Sequence, residues 1–482
     1  MEYEAVIGME VHAQILTKSK MFCSCSADYA SAPPNTHTCP VCLGMPGVLP
    51  VINQAAVEAT ILTGLALHCE IPLFSKFDRK NYPYPDLPKG YQISQYDYPL
   101  CVRGYLDVEV EGRRRRLRIR RVHLEEDTAK LMHDQDGSLI DFNRAGVPLM
   151  EIVSEADMRS AEEAWAYLVK LRTILRYLGV STGNMEEGAM RCEANVSIRP
   201  VGSETFGTKV EIKNLNSFRS VRLAIAYEIE RQTRLLEEGK AVHQVTMGWD
   251  ESARRTVFQR SKEYAEDYRY FPEPDLPPLE LGRDWVDAIA KKLPELPDEK
   301  VERFVSQYGL RNEDAKLLVE DKDVADYFEA VVAASNLPAR MVANWMLSEI
   351  FRLLHDAQIE IKECALEPKQ LAELLKMVEG GEISAATGKK VLAKMFSSGE
   401  DARTIVERHG LSQISDKDAL RRIVQQVLEE NPGPLEQYLG GKTTVLGFFM
   451  GRVMRATRGR ANAQIVRAIL QEELSRRADS QN

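Results

Sequence analysis

The sequence predicts an α+β domain followed by all-α domains. Strand-like runs that alternate apolar with polar residues recur near residues 5–15, 105–123, 193–199 and 208–213. Helical periods run near residues 52–68, 160–178 and 217–238, and a glycine stop signal follows the last of them. Beyond a proline-rich break at residues 271–298, nearly every segment has a helical period.

The length of 482 residues is too great for one compact core. We expect an α+β domain over residues 1–295, a helical domain over residues 296–404 and a helical tail over residues 405–482. The dense prolines of the break fix φ and remove backbone donors, which predicts either a linker or an extended wrap.

The composition is that of an ordinary globular protein, with 44% hydrophobic and 28% charged residues. No apolar run reaches the ~18 residues of a membrane span. The first residues lack a basic region followed by an apolar stretch, so we expect a cytoplasmic protein. A net charge of −9 means that any nucleic-acid partner needs a local basic patch.

An unusual number of acidic residues lies within the strand-like runs. In the first run, AVIGMEVHAQI, Met9 and Val11 face one way while Glu10 and His12 face the other. The other acids of this kind are Glu125, Glu126, Glu193 and Glu211. Such a face is either an ordinary wet surface or a site for a hard cation such as Mg²⁺, which takes carboxylate oxygens.

Four of the eight cysteines fall within twenty residues, as Cys23-x-Cys25 and Cys39-x-x-Cys42. Two close cysteine pairs joined by a short loop can hold Zn²⁺ tetrahedrally, and CPVCLGMPG supplies the tight turn that a knuckle needs. We predict a structural zinc knuckle over residues 23–42. The solitary cysteines suit buried thiols better than a disulfide framework.

Three basic segments remain open between a functional and a surface role. Residues 79–95 are rich in Tyr, Lys, Gln and Ser, which suits either a surface loop or a polar ligand cleft. Arg113–Arg121 forms either a solvated strand face or a phosphate contact. The C-terminal run around Arg455, Arg458 and Arg460 is either an ordinary polar surface or a docking site for RNA backbone.

Neither a P-loop nor a strand-borne GxGxxG motif is present, so any nucleotide must bind through metal and carboxylates. Long motifs across the chain carry a family resemblance. They are AVIGMEVHAQI, CPVCLGMPG, RKNYPYPDLPKGYQISQ, DFNRAGVPLMEIV, RCEANVS, TKVEIKNLNSF, DYRYFPEPDLPPL and GRVMRATRGRAN. Together they resemble the B-subunit family of the bacterial and organellar aspartyl/glutamyl-tRNA(Asn/Gln) amidotransferases.

The resemblance implies an antiparallel-sheet catalytic core of the glutamine synthetase and guanidino-kinase type, followed by helical domains. It implies a ligase that uses ATP, Mg²⁺ and Zn²⁺. The γ-phosphate of ATP moves onto the side-chain carboxylate of Glu (or Asp) on misacylated tRNA(Gln) (or tRNA(Asn)), and ammonia then displaces the phosphate. Implied partners are an amidase A subunit that supplies ammonia through a tunnel, a small C subunit that completes a heterotrimer, and the misacylated tRNA, with no membrane.

The family motifs carry roles over to particular positions. The catalytic cluster would comprise Glu10, His12, Glu125, Glu193 and Glu211, with Mg²⁺ held by Glu10, His12, Glu125 and Glu211. The tunnel mouth or substrate pocket would comprise Lys80, Lys89, Gln92 and Ser94, and tRNA would contact Arg455, Arg458 and Arg460. Relatives usually have Asp where this chain has Glu193, whose longer side chain can reach a metal through a water molecule.

Two other hypotheses compete with catalysis. In one, the chain is a tRNA-binding scaffold subunit of the same complex, acting through the knuckle and the helical tail. In the other, which ignores the resemblance, it is a metal-dependent phosphohydrolase or nuclease.

Overall fold

The computed structural model describes residues 2–134, 137–261, 268–414, 416–457 and 459–479. The chain divides into two compact units, residues 1–299 and residues 300–482. The first is mixed α and β and the second is helical, which confirms the predicted α+β class with a helical C-terminal region. The glutamine synthetase type of the core, and the further division of the helical region near residue 405, stay predictions.

The first unit is built on a large sheet with the strand order β13-β12-β11-β10-β1-β9-β6-β5. Its neighbouring strands are antiparallel except for the parallel pair β11 and β12. The strands are β1 (Tyr3–Gln14), β2 (Phe74–Ser75), β3 (Asp78–Asn81), β4 (Tyr91–Ser94), β5 (Cys101–Val110), β6 (Arg113–Glu126), β7 (Lys130–Asp134), β8 (Gly137–Asp141), β9 (Pro148–Ser154), β10 (Met190–Pro200), β11 (Val210–Leu215), β12 (Val245–Asp250), β13 (Arg255–Ser261), β14 (Phe271–Pro272) and β15 (Leu279–Glu280).

One face of this sheet is covered by helices. The helices of the first unit are α1 (Gln54–Ala66), α2 (Ala161–Tyr177), α3 (Phe218–Glu237) and α4 (Arg283–Ala290). Each of the first three begins where a polar side chain accepts a backbone N–H: Asn53 for α1, Ser160 for α2 and Ser217 for α3. The apolar positions of the alternating strands pack beneath these helices, so the polar positions face the other side.

The proline-rich break is an extended wrap within the first unit. Its strand β14 pairs with β3, and β15 pairs with β2, so the segment returns to strands that lie nearly two hundred residues earlier. Arg79 donates to both carboxylate oxygens of Glu273 at 2.6 and 2.7 Å, which fixes this return. The three-stranded sheet β14-β3-β4 lies on the open face of the large sheet.

The helical unit consists of short amphipathic helices. They are α5 (Pro297–Tyr308), α6 (Asn312–Val319), α7 (Lys322–Ser335), α8 (Ala339–Trp345), α9 (Phe351–Ala357), α10 (Pro368–Glu379), α11 (Ala385–Ser398), α12 (Ala402–Arg408), α13 (Lys417–Glu430), α14 (Pro432–Leu439), α15 (Leu446–Ala456) and α16 (Ala463–Asp479). Helices α13, α15 and α16 enclose a core of their own around Val424, Phe449 and Leu470. Among the described helices, none is both long and apolar enough to cross a bilayer.

Candidate functional site

The open face of the large sheet carries a row of ionisable side chains that the strand register aligns. Glu10 on β1 lies opposite Glu193 on β10. His12 on β1 lies opposite Glu151 on β9, and Glu151 lies opposite His123 on β6. Because residues two apart in a strand share a face, this register places one row across four neighbouring strands.

These side chains line one cavity of about 700 Å³. All five residues predicted to be catalytic border it: Glu10, His12, Glu125, Glu193 and Glu211. Lys80 and Gln92 border it as well, together with the aromatic side chains of Tyr82, Tyr268 and Tyr270. The structure therefore brings the predicted residues together, and their roles stay predictions.

The centre of the cavity is a cluster of His12, Glu125 and Glu151. The Nε2 atom of His12 lies 3.3 Å from Glu125 Oε1 and 3.4 Å from Glu151 Oε2. One candidate ligand atom from each of the three lies within 4.8 Å of the others, a spacing compatible with a single metal ion. Glu151 also lies 3.4 Å from His123 Nε2, and Ser94 donates to Glu125.

The charges of this cluster depend on one another. Burial disfavours a charged His12, but its contacts with Glu125 and Glu151 outweigh burial and raise its pKa to about 10. Burial likewise opposes charge on Glu125 and Glu151, yet the histidines hold the pKa of each below its usual value. For Glu10, burial and the charges of Glu151 and Glu193 raise the pKa.

The remaining cavity acids are held by local partners. Lys213 Nζ donates to Glu193 Oε1 at 2.8 Å, and Thr246 Oγ1 donates to Glu211 Oε2 at 2.8 Å. Burial lowers the pKa of Lys80, but the charge of Glu125 reverses that effect and the pKa is raised. The cavity thus offers cationic side chains beside carboxylates, an arrangement suited to an anionic ligand with a metal ion.

Lys89 and Ser94, which we also predicted for the substrate pocket or tunnel, do not border this cavity. Lys89 Nζ contacts both oxygens of Glu126, at 2.6 and 2.7 Å, and the backbone N–H of Ile93 donates to the same carboxylate. The pair borders a second cavity of about 180 Å³, which also touches Cys23 and Cys42. Gln92 borders the first cavity and donates to the backbone oxygen of Glu126.

The four cysteines of the predicted knuckle come together. The sulfur atoms of Cys23, Cys25, Cys39 and Cys42 all lie within 4.8 Å of one another. The hydrogen bond with Cys23 lowers the pKa of Cys42 to about 4, and Lys20 Nζ lies 3.7 Å from the Cys42 sulfur.

A glycine shapes the turn after the second cysteine pair. Gly44 has a φ of +65°, and a Cβ atom there would lie 2.3 Å from Lys89 Cγ. The loop of the cysteine cluster and the Lys89–Glu126 pair therefore approach each other closely only because residue 44 has no side chain.

Sequence reasoning missed Glu151 and His123. Glu151 is the only ionisable residue in the strand PLMEIVS, where both faces are buried and no alternation marks it. An acid inside a fully apolar strand was the available signal, because such a group needs a charged partner. His123 stands two residues before Glu125, so period two alone would have placed the two on one face.

The arginines predicted to bind tRNA have different surroundings. Arg455 is exposed in the last turn of α15. Arg460 donates to the backbone oxygen of Gly410 at 3.1 Å, so it also supports the local structure. Arg458 lies outside the described residues.

Comparisons with known proteins agree with the predicted resemblance. Residues 5–287 match the family described as the GatB/GatE catalytic domain, and residues 326–474 match the family described as the GatB domain. A relative from Dehalococcoides mccartyi is 55% identical over 98% of this chain and 99% of its own length. A relative from Thermomicrobium roseum is 56% identical over 98% of this chain and 99% of its own length. A relative from Thermoanaerobacter pseudethanolicus is 52% identical over 99% of this chain and 100% of its own length. Each is named as the B subunit of an aspartyl/glutamyl-tRNA(Asn/Gln) amidotransferase.

The buried pair of Lys89 and Glu126 gives a stability prediction. Lys89→Met should leave the carboxylate buried without its cation and lower the free energy of unfolding by about 3–5 kcal/mol. The double variant Lys89→Met/Glu126→Gln removes the charge as well and should recover most of that loss. Urea unfolding followed by tryptophan fluorescence measures both. A single-variant loss below about 1 kcal/mol would contradict burial of the pair.

Proposed function

Because the chain belongs to the GatB/GatE catalytic domain family, we propose that it is the activating subunit of a tRNA-dependent amidotransferase. It phosphorylates the side-chain carboxylate of Glu (or Asp) on misacylated tRNA with ATP. Ammonia then displaces the phosphate to give the amide. The observation that carries this proposal is the cluster of His12, Glu125 and Glu151 inside a large cavity that also contains cationic side chains.

The donor set fits a hard cation. Mg²⁺ prefers oxygen ligands, and the cavity offers carboxylates on five adjacent strands. The resemblance assigns Glu10, His12, Glu125 and Glu211 to Mg²⁺ binding. We place one ion at His12, Glu125 and Glu151, whose ligand atoms lie within 4.8 Å of one another, and assign Glu10 and Glu211 to a separate part of the cavity, because β11 lies four strands from β6. When bound, Mg²⁺ would neutralise phosphate charge and so favour the approach of two anions.

The side chains of the cavity perform the other tasks. Lys80 and Lys213, both beside neighbouring carboxylates, provide positive charge for a phosphate or a carboxylate substrate. An acyl phosphate reacts with water, so the chemistry needs an enclosed site. Tyr82 and Tyr270 border the cavity from the segments around the small sheet, and burial raises the pKa of Tyr270 to about 12.

Ammonia delivery is the proposed task of the second cavity. Lys89 borders it, and Gln92 links Glu126 to the catalytic cavity, while Ser94 donates a hydrogen bond to Glu125. We propose that ammonia enters along this side from an amidase A subunit, with a small C subunit completing a heterotrimer. The family resemblance, rather than any contact in this chain, supports these partners.

The cysteine cluster fits zinc as a structural ion. Tetrahedral Zn²⁺–thiolate bonds of ~2.3 Å place sulfur atoms roughly 3.8 Å apart. The described sulfur atoms already lie within 4.8 Å of one another, and Cys42 has the low pKa of a thiolate. Zinc would hold the loop whose Gly44 touches Lys89.

Loss of the central acids tests the proposed chemistry. Glu125→Ala and Glu151→Ala should each reduce formation of the acyl phosphate at least ~100-fold, because the charge that stabilises the transferring phosphoryl group is lost. Glu10→Ala and His12→Ala should also reduce the formation of the acyl phosphate. The assay follows ATP turnover that depends on misacylated tRNA, with ammonium chloride as nitrogen donor.

The matched control is Glu230→Ala, an exposed glutamate on α3 that should keep the wild-type rate. Wild-type turnover in the Glu125 and Glu151 variants would rule out this site and favour the scaffold hypothesis. Cleavage of the tRNA by the wild-type protein would instead favour the nuclease.

Removal of one cysteine tests the zinc assignment. Cys42→Ala should lower bound zinc by one equivalent per chain and lower the melting temperature, since zinc binding contributes to folding. Cys364→Ala, a half-buried cysteine outside the cluster, should retain the metal. Elemental analysis of both purified proteins measures this, and full occupancy in the Cys42 variant would contradict the knuckle.

The helical tail is the proposed site of tRNA binding through Arg455, Arg458 and Arg460. Truncation after Gly410 keeps α12 whole and removes the separate core of α13, α15 and α16. It should raise KM for aminoacyl-tRNA and lower the salt dependence by about one unit of slope per lost phosphate contact, while turnover at saturating tRNA partly survives. Arg455→Gln should also raise KM for aminoacyl-tRNA. Its control is Arg403→Gln on α12, which should leave that KM unchanged. Unchanged tRNA affinity after truncation would leave the tail as packing alone.

A further inference from the structure

One lysine is buried beside the cysteine cluster and has no carboxylate partner. Lys20 lies just before the first cysteine pair and is only 1% exposed. Its Nζ atom lies 3.7 Å from the sulfur of Cys42 and donates to the backbone oxygen of Phe142 at 3.3 Å. In the part of the chain that the structure describes, this ammonium group forms no ion pair with a carboxylate. A buried ammonium group needs an anion nearby, because the loss of its hydration is costly.

The sulfur that Lys20 contacts is the innermost of the cluster. Cys42 is buried, whereas Cys23, Cys25 and Cys39 are half-buried. The backbone N–H of Cys39 donates to the Cys42 sulfur at 3.2 Å, in addition to the contact from Lys20. Two N–H groups therefore approach the same sulfur, and such groups favour the thiolate over the thiol.

The segment DFNRAGV supports the loop between the two cysteine pairs. Asn143 is fully buried, and its side-chain oxygen accepts the backbone N–H of His37 at 2.8 Å. A Cβ atom on Gly146 would lie 3.5 Å from the Cβ of Cys42 and 3.6 Å from the Cδ of Lys20. Lys20 therefore lies between the cysteine cluster and this segment, and it contacts both through one ammonium group.

The two lysines that border the second cavity have different anions. Lys89 is already paired with both oxygens of Glu126, at 2.6 and 2.7 Å. Lys20 borders the same cavity, where the cysteine cluster is the ionisable group that it contacts. Four thiolates around Zn²⁺ leave two negative charges in excess, so a zinc-loaded cluster supplies the anion that this buried lysine needs.

We propose that Lys20 is a positioning residue of the zinc site. Its ammonium group donates to the Cys42 thiolate and offsets part of the negative charge of the zinc–thiolate cluster. Groups of this kind, which contact a metal ligand rather than the metal, orient that ligand and set the affinity of the site. The inference rests on the zinc assignment within the proposed function and adds the residue that balances the charge of the metal site.

A purely structural lysine is the competing explanation. In that case Lys20 would act only by packing and by its hydrogen bond to Phe142. Its loss would then destabilise the chain equally with and without the cluster. If Lys20 balances charge, the effect of its loss changes sign when the thiolate is removed, because a buried cation without an anion is itself unfavourable.

The first test measures zinc binding by the full-length chain in competition with a chromophoric chelator. Lys20→Met keeps an unbranched side chain and removes the charge. It should weaken zinc binding ~10-fold, the usual effect of losing a partner of a metal ligand. Lys20→Arg keeps the charge and should recover most of the affinity. The matched control is Lys18→Met, an exposed lysine two residues away, which should bind zinc like the wild type. Unchanged affinity in Lys20→Met would overturn the proposal.

The second test observes the thiolates directly. Co²⁺ in place of Zn²⁺ gives a thiolate-to-metal charge-transfer absorption whose energy depends on the electron density at sulfur. Loss of the nearby cation should move this absorption to longer wavelength in Lys20→Met, while the d–d bands of a four-thiolate site stay in place. A structural role does not move the charge-transfer band, so identical spectra in the wild type and the variant would overturn the proposal.

The third test compares melting temperatures with and without the cluster. Lys20→Met should lower the melting temperature of the zinc-loaded chain. In a Cys42→Ala background with chelator present, the same substitution should raise it, because it removes a buried cation that has lost its anion. This second comparison holds even where Lys20→Met does not fold by itself. A lower melting temperature in both backgrounds would assign Lys20 to packing and overturn the proposal.

The zinc assignment and the role of Lys20 fail by different results. A wild-type chain that binds no zinc rejects both. Zinc that is bound by the wild type and lost in Cys42→Ala, with unchanged affinity and an unchanged cobalt spectrum in Lys20→Met, retains the zinc site and rejects the role of Lys20.

Discussion

The main physical constraint on the first unit is the charge repulsion within a row of carboxylates on one face of its sheet. Glu10 and Glu193 face each other across adjacent strands, and the charge of Glu151 on the next strand also acts on Glu10, so like charges repel on this face. His12 lies between Glu125 and Glu151, whose carboxylates raise its pKa to about 10 and so favour a positive charge that must be given up when a metal ion binds there. Lys213 supplies positive charge at Glu193. These cations offset the repulsion on the face, and the same balance suits the anionic substrate and the metal ion that we propose.

The alternation of apolar and polar residues along the strands predicted much of this row of charged side chains. The alternation in AVIGMEVHAQI and RCEANVS placed Glu10, His12 and Glu193 on one face, and the strand register then brought the runs together. Alternation did not predict the position of Glu151, because β9 is buried on both faces and its sequence does not alternate. Lys80 and Gln92 border the first cavity, Lys89 borders the second and Ser94 borders neither. Which cavity a residue of β3, β4 or the loop between them reaches depends on tertiary packing, which local spacing does not specify.

A β-bulge in β6 shows how one residue can join two surfaces. Without it, the arginines of the hairpin and the pair His123 and Glu125 would lie on opposite faces of the sheet. The turn before β6 has a local signature, because Glu111 and Gly112 both have the positive φ that a tight hairpin turn needs. The bulge itself has no comparable local signature, since no glycine marks it.

The wrap from Phe271 to Glu280 has a consequence for biosynthesis. Tyr268 and Tyr270 border the cavity, and the Arg79–Glu273 pair joins residues 194 positions apart. During synthesis the site therefore stays incomplete until the residues near position 270 have left the exit tunnel of the ribosome. Contacts so distant in sequence form slowly, and the acidic face stays open to solvent in the meantime. Like charges on an open sheet face disfavour its association with a second copy, so we expect the residues proposed for catalysis to protect the nascent chain as well.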